Sequence, residues 1–185
     1  MIYRLKELKG DTIAVPQLVF SKLGIAEEYN VRVALYVLAT GITDPDAVAQ
    51  MSGSFVEMGG DSCVVYSLGG TRLNSIQSGY ARPALAVGNT RFVLYNRAGK
   101  ELTVQSRTRQ LYAKSFNNAI MLCEMAQNGT LAVVTESDRY AAEVMVYDAS
   151  FSGDPFTWKL TSTDGTPIAL SFATDNHRFA AATVA

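Results

Sequence analysis

Catalysis needs a few residue types held close together, and this chain offers few of them. Its single histidine, His177, follows Asn176 in what reads as a turn, with no serine or cysteine motif beside it. A general base needs a positioned partner, so His177 reads as an ordinary turn residue. Cys63 and Cys123 have neither a CxxC pair nor neighbouring histidines and read as two small buried thiols, with no support for a disulfide. Asp61, Asp148, Asp164 and Asp175 fall at strand ends, where aspartate stabilises turns, and not in a calcium-loop pattern. The signatures GxSxG, HExxH, GxGxxG and the phosphate-binding GxxxxGK[ST] loop are absent. The expectation is a protein that is not an enzyme and takes no metal or cofactor.

Charge is more informative than any motif. Formal net charge is −1 over 185 residues, which gives no global attraction to nucleic acid or anionic membrane. The distribution is uneven. Between Arg72 and Lys114 there are eight Lys/Arg against Glu101 alone, a local balance of +7, whereas from Ser115 onward three basic residues face eight acidic ones, a balance of −5. An anionic partner would meet that basic stretch. Arg107 and Arg109 stand two apart in one hairpin turn and point the same way if the strand is regular. With Lys114, they are the candidate binding residues.

The elements that position them are strands. From Ser54 onward the chain reads as short β segments divided by turn residues: Phe55–Met58, Cys63–Leu68 and Arg72–Gln77, then Ala84–Val87, Arg91–Asn96, Glu101–Gln105 and Leu111–Phe116. Four more follow in about forty residues, Ile120–Ala126, Leu131–Thr135, Glu143–Tyr147 and Phe156–Leu160, and then two, Pro167–Phe172 and Arg178–Val184. Asn128-Gly129-Thr130-Leu131 through Thr135 aligns with Asn176-His177-Arg178-Phe179 through Thr183, and Tyr95-Asn96-Arg97-Ala98-Gly99 aligns with Tyr66-Ser67-Leu68-Gly69-Gly70 and, more loosely, Tyr147-Asp148-Ala149. Repeats at this spacing are characteristic of β-propellers. The expected fold is mainly β: a partial β-propeller of about three four-stranded antiparallel blades, complete at 79–118 and 119–165 and partial at each end. A small helical segment precedes it. The domains are 1–52, helical, and 53–185, the partial propeller.

The first fifty residues have another grammar. Pro16 opens a helix that Gly24 stops, and Val31, Ala34, Leu35 and Leu38 give a buried stripe to a second helix from Glu27 to Thr40. Asp44-Pro45-Asp46 reads as the cap and first turn of a third, short helix over Ala47–Met51. The stretch NVRVALYVLATGITDPDAVA resembles the winged-helix segment of DnaD-like primosome proteins, an incomplete helix-turn-helix here because no recognition helix or wing follows Gln50. That resemblance implies an alternative function, replication-associated DNA binding. The segment holds five basic and six acidic residues, so no phosphate-binding charge supports it. Limited proteolysis is expected to cut first between Gln50 and Gly60, at the junction.

The run from Ser54 to the end resembles an uncharacterised propeller family of Firmicutes. The motifs are Gly79-Tyr80-Ala81-Arg82-Pro83, Tyr95-Asn96-Arg97-Ala98-Gly99, Val134-Thr135-Glu136-Ser137-Asp138-Arg139-Tyr140 and Val146-Tyr147-Asp148-Ala149. More distantly, VYDASFSGDPFTWKL is similar to the strand motif of quinoprotein-type propellers. The resemblance implies a non-enzymatic interaction or sensor module, membrane-anchored and extracytoplasmic in relatives. This sequence shows no signal peptide or membrane-spanning run, which reads as cytoplasmic. Partners are expected to be proteins, nucleic acid having weak support. Three blades cannot close a ring, so self-association is expected, and Trp158 is expected to lie buried between sheets.

Overall fold

The computed structural model describes Thr40, Ile42 and residues 45–184, and a compact unit spans Ile42–Ala185. Fourteen strands are present among the described residues. The first sheet holds β1 (Ala47–Met51), β2 (Ser54–Gly59), β3 (Ser62–Ser67) and β4 (Arg72–Gln77). The second holds β5 (Pro83–Val87), β6 (Arg91–Asn96), β7 (Glu101–Ser106) and β8 (Gln110–Ser115). The third holds β9 (Ile120–Met125), β10 (Leu131–Thr135), β11 (Ala142–Tyr147) and β12 (Phe156–Leu160), and a hairpin of β13 (Thr166–Phe172) and β14 (Phe179–Val184) follows. Every sheet is an antiparallel meander whose strand order follows the chain.

Side-chain alternation on the central strands explains how the sheets stack. Phe92 and Leu94 on β6 pack with Val56, Met58, Cys63 and Val65 of the first sheet. Their neighbours Val93 and Tyr95 point the other way, into a core with Val104, Ile120, Cys123, Leu131 and Val133. A strand covered on both faces must be apolar at consecutive positions, which is why 92–95 reads FVLY without polar interruption. Beyond the third sheet, Leu122, Val134, Val144 and Leu160 meet Leu170 and Phe179 of the hairpin. The first strands β1, β5, β9 and β13 touch in succession. The sheets therefore radiate from one axis, and the architecture is a partial β-propeller of three complete blades and half of a fourth.

The turns between first and second strands of successive sheets are tied together. Ser52 N–H donates to Asn89 O at 2.7 Å, Asn89 N–H to Gln127 O at 3.1 Å, and Asn128 N–H to the Asn176 side-chain oxygen at 3.3 Å. The aligned asparagines of the sequence repeat thus occupy equivalent turns and meet.

Four expectations need correction. Ala47–Met51 is a strand, not a helix: it pairs antiparallel with β2, from Ala47 opposite Met58 to Met51 opposite Ser54. The aspartate expected to help start that helix serves a strand turn instead, since Asp46 Oδ2 accepts from Gly60 N–H at 2.9 Å. The first blade is therefore complete, and the stretch from Gln50 to Gly60 runs along the paired strands β1 and β2 of that blade, with Met51 and Val56 buried, and not between two separate parts. Tyr95 is not equivalent to Tyr66: Tyr66 precedes the turn between third and fourth strands, as Tyr147 does, whereas Tyr95 precedes one between second and third, at the opposite end of its sheet. The helices expected at 16–23 and 27–40, and with them the DnaD-like stretch up to Thr40, lie outside the described residues, Thr40 itself apart.

Candidate functional site

Antiparallel meanders put the β1–β2, β3–β4, β5–β6, β7–β8, β9–β10, β11–β12 and β13–β14 turns at one end of the sheets. Arg107 and Arg109 stand there, in the β7–β8 turn. Ser106 shapes that turn: its hydroxyl accepts from Thr108 N–H and Arg109 N–H at 3.3 and 3.1 Å and donates to Arg109 O at 2.9 Å. Both arginines are exposed and line a cavity of about 560 Å³ together with Gly53, Ser67, Leu73, Thr90, Arg91 and Leu111. Among the described residues no acidic side chain lines it. The one ion pair among the described residues is Arg178–Asp175, so Arg91, Arg107 and Arg109 have no carboxylate partner there.

Arg91 belongs to this cluster although only its place in the basic stretch pointed to it. It lies on β6, sends Nη1 to the carbonyl of Ala149 in the third sheet, and runs against the Gly129 turn. Its Nε is buried and has no acceptor among the described residues. Arg107 reaches the other way, with Nη1 3.4 Å from where a Cβ on Gly53 would stand. Arg91 and Arg107 thus reach toward neighbouring sheets, and all three arginines line one hollow.

Lys114 is not part of it. On β8 it sits opposite Leu102, several residues from the turn, with Nζ 5.4 Å from the Tyr147 ring centroid and 5.7 Å from that of Phe116. Burial pushes the Tyr147 phenol up while Lys114 pulls it down. Beside it Tyr112 stacks on Phe151, centroids 4.6 Å apart and planes 11° apart. Lys114 and Tyr112 therefore lock the second sheet to the third.

The residues that first looked chemical are occupied in turns. Hydrogen bonds from Ser150 hold the Asp148 carboxyl below its ordinary range; Thr161 does the same for Asp164, and His177 N–H and Arg178 for Asp175. His177 lines a second hollow of about 390 Å³ with Asn128, Asp148, Phe151 and Asn176. Burial raises the Cys63 thiol to about 12 and also raises Cys123.

A further surface lies on the third sheet. Trp158 and Phe156 sit opposite Val144 and Val146 on β12 and face the hairpin side, yet they are 40% and 65% exposed. Trp158 was expected to be buried. Of the aromatic rings among the described residues, Phe179 is the one beside it, at 6.2 Å between centroids. The corresponding residues of the second sheet, Tyr112 and Lys114, are covered by Tyr147 and Phe151 of the next. Among the described residues the hairpin pairs with no third strand to do this, and the outer edge of β14 is unpaired.

The model of a family of unknown function, DUF5711, matches residues 29–185. The chain belongs to DUF5711. No curated protein sequence matches this DUF5711 member. Among solved structures it is similar to Hsv2 of Kluyveromyces marxianus, at 12% identity and a TM-score of 0.59, over 83% of this chain and 46% of that one. Two structures of Kluyveromyces lactis Hsv2 match at 13% and 12% identity with TM-scores of 0.57 and 0.58, each over 82% of this chain and 48% of theirs. At these identities the likeness establishes the propeller fold alone. The chain spans about half the length of the structures it matches. No helix among the described residues is long and apolar enough to cross a membrane.

Proposed function

We propose that this DUF5711 chain is a non-enzymatic propeller-type interaction module that engages protein at the side of its third sheet and hairpin left uncovered among the described residues, a second copy being the first such partner. One observation carries the reading: Phe156 and Trp158 face the space beside the edge of β14, which is unpaired among the described residues. An added strand would hydrogen-bond to that edge while its side chains cover the two aromatics. Aromatic side chains bury about 150–250 Å² each, so covering the exposed part of this pair removes roughly 200 Å², about 5 kcal/mol gross before association costs. The non-enzymatic part is supported by the turn duties of Asp148, Asp164 and Asp175. The DNA-binding alternative is not favoured, since the third helix it needs is a strand.

Sedimentation of the full chain over a range of concentrations tests this, with emission of the sole tryptophan read in parallel. Mass should rise with concentration while the emission shifts to the blue, and Phe156→Asp should abolish both. A monomer with concentration-independent emission would end the proposal.

A further inference from the structure

We propose that the hollow lined by Arg91, Arg107 and Arg109 is a binding site for a phosphoryl group carried on a small molecule with an apolar body. The guanidinium group stays protonated at any physiological pH, and its planar fork matches phosphate oxygens two at a time. Three arginines line one cavity of about 560 Å³, and among the described residues no carboxylate does. That volume lies within the range usual for small-ligand sites. The charge there is not compensated from within the described chain, because the one ion pair lies at Arg178 and Asp175.

Two features make this more than a basic patch. The turn carrying Arg107 and Arg109 is fixed by three hydrogen bonds to the Ser106 hydroxyl, so their backbones are placed before any ligand arrives. Arg91 is held from behind by the Ala149 carbonyl, and its buried Nε lacks an acceptor. Arg91 therefore contributes a fixed positive charge beside the hollow, while Arg107 and Arg109 are the side chains that reach ligand oxygens. Thr90 and Thr108 also line the hollow, and a threonine hydroxyl suits the remaining oxygens of a tetrahedral group. Leu73 and Leu111 complete the lining, Leu111 being 39% exposed, and give an apolar body something to rest on.

Charge selects phosphomonoester over carboxylate. Near neutral pH a phosphomonoester carries about −1.5 to −2, because its second proton leaves near pH 6, whereas a carboxylate stops at −1. Binding should therefore strengthen as pH rises through about 6. The same phosphoryl chemistry could arrive on a soluble metabolite or on a lipid headgroup.

The test uses the full chain with phenyl phosphate, benzoate, and phosphatidylcholine vesicles with and without phosphatidic acid. Calorimetry should show phenyl phosphate bound in preference to benzoate, more tightly at pH 7.5 than at pH 5.5. Arg107→Ala and Arg109→Ala, exposed turn substitutions that leave the core intact, should each weaken it about 10-fold or more. Arg139→Ala, at the opposite end of the sheets, should leave it unchanged. Retention on phosphatidic acid vesicles alone, lost in the same two variants, assigns the phosphoryl group to a lipid. Equal binding of benzoate, equal loss in Arg139→Ala, or no binding of either phosphate probe overturns the site.

Discussion

Gly88 tests how closely the sheets are nested. It is buried immediately after β5, and a Cβ built on it would stand 2.6 Å from the Ala126 carbonyl oxygen and 3.2 Å from Met125 Cγ. The nearer neighbour is backbone, next to the Gln127 carbonyl that accepts from Asn89, so it cannot swing aside as a side chain would. Relief requires the second and third sheets to part by several tenths of an ångström. Overpacking of this kind costs about 1–3 kcal/mol. Alanine returns about 0.4–1 kcal/mol by restricting the unfolded chain. The net loss for Gly88→Ala is about 1–2 kcal/mol, which at an m-value of about 2 kcal/mol/M lowers the urea midpoint by about 0.5–1 M. Gly60 is the complementary control, with φ +59 and nothing within 4 Å of an added Cβ. Asparagine tolerates that backbone conformation, so Gly60→Asn should be close to neutral. If Gly88→Ala unfolds at the wild-type midpoint, or Gly60→Asn is the more damaging of the two, the nested-turn account is wrong.

Other outcomes follow from burial. Burial raises the Glu124 carboxyl, so between its ordinary value near 4.3 and its raised one the folded state holds the proton more tightly and wild-type stability falls as pH rises. Glu124→Gln should abolish that fall and gain on wild type toward neutral pH, with no gap where both forms are protonated; a parallel pair of stability–pH curves would count against it. Cys63, raised to about 12, and Cys123 should resist a thiol reagent at pH 8 until urea unfolds the chain, and rapid native labelling would show the thiols are not buried as described. Phe92→Ala, which empties a fully buried position between the first two sheets, should cost about 3–5 kcal/mol in urea unfolding.

The strands were legible because their turns are local. Thirteen of the fourteen were readable from glycine and asparagine punctuation with ends correct to a few residues. The exception, β1, follows Asp-Pro-Asp, a sequence that serves a helix start and a strand turn equally well. The choice was made by pairing with Ser54–Met58 and by the Gly60 amide, both distant in sequence. Trp158 shows a second limit: alternation tells which face a side chain takes, not whether a strand stands opposite. The arginine pair could be found from its spacing within one turn. Arg91 came from a different hairpin, and Lys114 was grouped by charge though aromatic rings of the neighbouring sheet hold it. No local rule brings such residues together or apart.

The hydrogen bonds that run from turn to turn, Ser52 to Asn89, Asn89 to Gln127 and Asn128 to Asn176, make the sheets links in a line. Each link is supported only by its immediate neighbours, so its local opening free energy is its own contribution plus the interfaces on either side. The second and third sheets have a described neighbour on both faces, the hairpin on one. Amide hydrogen exchange should therefore be slowest at Val93, Leu94 and Val133 and fastest along β14, with openings propagating inward from the hairpin. A ligand that clamps one interface would slow exchange at the next without touching it. The molecule would then carry a signal along its row of sheets as a change in fraying, with no change in its average structure.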